Sequence, residues 1–235
     1  MSAYEPRIQP KTAAAPKMDA KTLTSLAMLT ALAYMVMIIS KALPQVFGFL
    51  QMDLKDTVIC IGGFIYGPFS AAVISIVVAV IEMFTYSDTG IIGCIMNMIS
   101  TCAFCCTASY IYKRIHTKKG AVIALGCGVV VLTAVMLLWN YLITPLYMPA
   151  MSRADIAKLL PTVFLPFNLV KGGLNMAVIL LLYKPVVTAL RKAHLVPESK
   201  GAASQGGRFS AGFLLFSLAL LATFVALAMV LMGII

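Results

Sequence analysis

The chain has 235 residues, of which 61% are hydrophobic and 11% charged, with a mean hydropathy of +0.98 and a net charge of +10. An average soluble domain carries about a quarter charged residues, so a soluble globular fold is excluded and insertion into a bilayer as helices is the reading that remains. In that setting the basic excess is read against membrane topology before nucleic acid or acidic partners are considered.

The leading segment Met1–Lys21 is polar, lacks a signal peptide's apolar centre, and is expected to be a disordered cytoplasmic tail. A first span follows at Thr22–Leu43. The segment Pro44–Asp53 is apolar but carries Pro and Gly, which points to a loop dipping into the protein. The apolar run Thr57–Phe84 is interrupted by Gly67-Pro68 and reads as two passes, Asp56–Tyr66 and Pro68–Tyr86. Further spans are expected at Gly90–Arg114, Gly120–Pro145 and Pro161–Lys192. Two passes around Gly67 place Lys113, Arg114, Lys118 and Lys119 on the same side as the amino-terminal tail, as the positive-inside rule demands. With the five basic residues of Lys184–Arg208, 13 of the 18 Lys and Arg then lie on the cytoplasmic side.

The second span has 11 residues and reaches about 16 Å at 1.5 Å per residue, short of the roughly 30 Å hydrocarbon layer. A short helix beside a folded-in loop points to a solute site, because irregular backbone at membrane depth must be buried in protein or line a cavity. Residues 193–208 read as a flexible cytoplasmic linker rich in Gly, Ser, Lys and Ala. A seventh, charge-free span is expected at Phe209–Ile235, suited to lipid or partner contact. The predicted fold class is therefore all-α: a polytopic transmembrane bundle with a six-helix core at 22–192 and an additional carboxyl-terminal helix at 209–235.

The sixth span contains Asn168, Lys171 and Asn175 at i, i+3 and i+7, one face of a helix. A lysine near a helix centre costs about 2.5–3.5 kcal/mol on insertion scales, so Lys171 is expected to face a cavity or a partner group. The competing reading is a lysine snorkelling to the outer interface. The fifth span adds Trp139-Asn140-Tyr141 and Thr144; the fourth adds Asn97, Ser100 and Thr101. For each asparagine alone, an interhelical hydrogen bond competes with ligand contact. Glu82 is a second intramembrane charge, free either to pair with Lys171 or to sit near the outer end beside Tyr86 and Asp88. Asp53 and Asp56 flank Lys55, and Asp56 either caps the second helix or binds a polyol.

All six cysteines, Cys60, Cys94, Cys102, Cys105, Cys106 and Cys127, lie in apolar stretches and read as packing residues. Cys102 and Cys105 have CxxC spacing without a histidine or second pair to complete a metal site. The sequence contains no GxxxxGK[ST], HExxH or GxSxG pattern, so neither catalysis nor ATP hydrolysis is expected of this chain, and no cofactor or metal.

Over about Leu23–Arg191 the chain resembles the substrate-binding S components of energy-coupling-factor (ECF) vitamin transporters, and among them the riboflavin-specific type. The residues that carry the likeness are Met52-Asp-Leu-Lys-Asp56, Phe64-Ile-Tyr-Gly-Pro68, Leu138-Trp-Asn-Tyr141 with Thr144-Pro-Leu-Tyr147, and Leu165-Pro-Phe-Asn-Leu-Val-Lys-Gly172. The resemblance implies flavin contacts at Asn140, Asn168 and Lys171, and a docking surface for a transmembrane coupling subunit at Ala27 and Ala31, the first and last residues of an AxxxA pattern. It also implies two partner ATPases and a multi-pass location in the plasma membrane. Asn97, Asp53, Asp56, Tyr141 and Phe49 complete the expected substrate-binding set, with Phe47, Phe49, Trp139 or Tyr141 as candidate covers for a flavin ring. The alternatives are an S component for a different vitamin and a stand-alone carrier with Glu82 as proton relay. The linker and seventh span depart from the family's six-helix outline.

Overall fold

The computed structural model describes residues 20–46, 50–86, 90–147, 152–192 and 211–234. Every regular element among them is helical: α1 (Ala20–Ser40), α2 (Lys55–Tyr66), α3 (Pro68–Thr85), α4 (Gly90–Ile115), α5 (Lys118–Tyr147), α6 (Arg153–Leu159), a π-helical turn (Leu160–Phe164), α7 (Leu165–Lys192) and α8 (Ala211–Leu231). Among the described residues, six helical stretches are long and apolar enough to cross a bilayer: α1, α3, α4, α5, the run from α6 into α7, and α8. The expected tail up to residue 19, the linker, and Phe47 and Phe49 lie outside the described residues, while Ala20 and Lys21 belong to α1.

At 12 residues α2 is about 18 Å long and cannot cross alone. Ten of its residues are buried, so it is enclosed on all sides rather than amphipathic. It packs against α1, α3, α4 and α7. The break between α2 and α3 is made by Gly67 at φ 98°, a left-handed conformation that favours glycine, and by Pro68 in the first turn of α3. Asp56 does not cap α2, contrary to one of the two readings above. The cap position is Leu54, without a side-chain bond, and its own N–H is taken by the Ser40 hydroxyl at 3.2 Å. Asp56 falls in the first helical turn, and Thr101 of α4 donates to it at 2.7 Å.

The helix that carries Asn168 and Lys171 begins earlier than Pro161. Ser152 and Asp155 form a reciprocal capping box that starts α6 at Arg153. The chain passes Pro161 through the wider π turn, in which the Leu165 N–H reaches back to the Leu160 carbonyl. The main core cluster draws on α1, α2, α3, α4, α5 and α7, with Phe104, Ile59, Ile74 and Leu125 fully enclosed. At one end of the bundle, Phe64 and Tyr112 stack at 4.3 Å between ring centroids, and the Tyr112 hydroxyl meets that of Tyr183 at 3.0 Å. At the other end residues 41–46 and 50–54 fold back over the helices, Val46 and Leu50 exchanging backbone hydrogen bonds at 2.8 and 3.0 Å.

Candidate solute-binding site

The loop end is held by buried charge. The Lys55 ammonium lies 2.6 Å from Glu82 Oε2 of α3 and 2.7 Å from Asp53 Oδ2, and the Lys55 N–H donates to Asp53 Oδ1 at 2.8 Å. Lys41 reaches Glu82 Oε1 at 3.1 Å, and the Asn97 amide donates to Glu82 Oε2 at 3.0 Å. Glu82 therefore pairs with Lys55 and Lys41, not with Lys171, and the group a proton relay would need is engaged on both oxygens. Mutual pairing is how ionisable groups persist at membrane depth. A groove of about 480 Å³ opens beside this cluster, lined by Lys41, Gln45, Gln51, Met83, Phe84, Thr85 and Tyr86. Asn140, Asn168 and Lys171 do not line it.

Asn175 ties the loop to α7. Its amide donates to the Asp53 carbonyl at 2.8 Å and the Lys171 carbonyl at 3.0 Å, while its oxygen accepts from Thr57 at 2.8 Å. Both of its N–H groups and its carbonyl are spent on protein. Asn168 differs: buried, it commits one N–H to the Phe164 carbonyl at 2.7 Å, at the end of the π turn. Asn140 commits one N–H to the Met136 carbonyl at 2.8 Å and accepts from Thr144 at 3.0 Å. Each of these two amides keeps a second N–H that binds nothing among the described residues. Lys171 is half-buried, and forms no ion pair with a described carboxylate. The second carboxylate oxygen of Asp56 is buried without a partner, as is the Trp139 indole N–H. Tyr141 is 39% exposed on α5.

The sequence-predicted residues thus divide. Asp53 and Asn97, together with Asn175 of the polar stripe, are consumed in holding the loop and its charges, whereas Asn140, Asn168, Lys171 and Asp56 retain polar capacity. Lys41 and Lys55, which join Glu82 in one cluster, escaped the sequence reading as site residues. The signal present was that Lys55 and Glu82 are opposite charges inside apolar segments, which must find partners.

The model of the ECF transporter substrate-specific component matches residues 21–183. The chain belongs to this family. The S component is 28% identical over 189 residues to the riboflavin transporter FmnP of Bacillus subtilis, covering 76% of this chain and 100% of that protein. It is also 28% identical over 178 residues to the riboflavin transporter RibU of Staphylococcus aureus, covering 73% of this chain and 93% of that protein. Among solved structures, the S component of a bacterial ECF transporter superposes with a TM-score of 0.60 at 26% identity, over 72% of this chain and 96% of the other. This S component is accordingly a multi-pass membrane protein of a transport family and not an enzyme. Ala27 and Ala31, whose AxxxA spacing the family resemblance singled out, are both exposed on α1.

Proposed function

We propose that this chain is the riboflavin-binding subunit of an ECF-type importer. It takes the vitamin at the loop end, which faces outward with the amino terminus cytoplasmic, and releases it inward by reorienting on a coupling subunit driven by two partner ATPases. The observation that carries the reading is the likeness to two riboflavin transporters over nearly their whole lengths. The free polar capacity at the loop end supports it: two unspent amide N–H groups and an ammonium suit flavin carbonyls, and the bare Asp56 oxygen suits a ribityl hydroxyl or the flavin N–H. The exposed small residues Ala27 and Ala31 suit close approach of a coupling-subunit helix.

Titration of the purified chain with riboflavin, followed by flavin fluorescence, tests the proposal. Saturable quenching at one vitamin per chain is expected. Lys171→Ala and Asn168→Ala should each weaken binding at least about tenfold, or about 1.4 kcal/mol. Unchanged affinity in both variants overturns the site, and binding of another vitamin with none of riboflavin overturns the substrate.

A further inference from the structure

Helix α8 lies beyond the stretch 21–183 that matches the family, and the Bacillus relative is covered over its whole length by 76% of this chain. Only 11% of its most apolar window is buried, so most of its surface faces outward. The positions that are not exposed, among them Phe213, Ser217, Leu220, Phe224, Ala228 and Leu231, nevertheless recur every three or four residues and form one narrow stripe. That stripe lies along α7.

Two contacts give the stripe its meaning. A Cβ atom at Gly173 would collide with the Phe224 ring, so this glycine, two residues past Lys171, is the seat that admits Phe224. Its neighbour Gly172 faces α5 instead, where an added Cβ would come 3.1 Å from Val129. Towards the loop end, Phe224, Ala228, Leu231 and Met232 join Val46, Leu50 and Met52 of the folded-back segment and Phe167 and Val170 of α7 in a second apolar cluster. Val46 and Met52 are each 1% exposed within it. Helix α8 therefore touches both the loop segment and α7.

We propose that α8 is a built-in clamp on the binding site, with Phe224 as a positioning residue that holds α7 against Val46, Leu50 and Met52 and slows ligand release. The inference rests on the reading that riboflavin binds at the loop end. Interactions that exist only in the closed form act on the dissociation rate more than on association. Loss of the Phe224 ring removes an interaction between the closed partners without altering any polar group in the site.

Stopped-flow release of riboflavin from the full-length chain tests the clamp. Phe224→Ala is expected to speed dissociation at least about tenfold with association unchanged, and Phe224→Leu to restore most of the difference. Phe216→Ala, on the outward face of the same helix, should change neither rate. Amide exchange of the unliganded protein supplies an arm that needs no vitamin: Val46 and Leu50 should exchange faster in Phe224→Ala than in the parent chain. If the parent chain does not bind riboflavin, that exchange difference alone upholds the clamp while the substrate reading falls. If Phe224→Ala fails to fold, Met232→Ala at the helix end takes its place, with the same expectations. Unchanged release together with unchanged exchange overturns the proposal.

Discussion

The two ends of the bundle solve the problem of closure with different chemistry. At the end formed by α2, α4 and the later turns of α7, Phe64, Tyr112 and Tyr183 pack ring against ring, and the basic residues Lys113 and Arg114 stay exposed. At the loop end the charges go inside: Lys55, Glu82, Asp53 and Asp56 are all buried. Aromatic packing needs no counter-ion and seals a helix junction that stays in one arrangement. Buried ions are worth having only if they are mutually satisfied, and here they fasten an irregular segment to α3, while the neutral Asn175 amide ties it to α7. The difference fits the proposal that the solute binds at the loop end.

That contrast can be broken most forcefully at Lys55. Lys55→Met leaves Asp53 without its ion partner and Glu82 with only Lys41, so thermal unfolding in detergent should show a loss of about 3–5 kcal/mol. A loss near zero would mean that the cluster is wet and not a fastening. A smaller effect is expected at Asp56, where Asp56→Asn keeps an acceptor for Thr101 but removes the bare carboxylate oxygen. Riboflavin affinity should fall about tenfold, about 1.4 kcal/mol, with the unfolding midpoint nearly unchanged. The smallest effect belongs to the opposite end: Tyr112→Phe deletes the hydroxyl contact with Tyr183 and should cost about 0.5–1.5 kcal/mol of stability, with riboflavin binding unaltered. A change in affinity there would erase the distinction between the ends.

Much of the fold was legible because apolar runs of spanning length and the Gly67-Pro68 break are local signals, and the short reach of α2 follows from helix rise alone. The conspicuous residues of α7 were legible for a related reason, since an asparagine or lysine in an apolar helix has few explanations. What could not be read is where partners arrive from. The Lys55–Glu82 pair spans 27 positions and the Asn175–Asp53 bond 122, so both depend on how the loop folds back. Local logic offered Asp56 as one candidate cap, but Ser40 from α1 and Thr101 from α4 supply bonds that no neighbouring residue announces. By helical spacing alone Asn175 shares the face of Asn168, and its three satisfied bonds now separate the two on structural grounds. In α8 every position is apolar or small, so nothing in the pattern singles out Phe224 until Gly173 is seen beneath it.

The central claim is that the loop end of this chain holds a flavin vitamin. Mass spectrometry of the small molecule that copurifies with the full-length chain from native membranes addresses it without presuming a ligand. The account predicts riboflavin or a close flavin at one per chain, lost in parallel from Lys171→Ala and Asn168→Ala. A different vitamin at that stoichiometry, or a flavin retained equally by both variants, would contradict it.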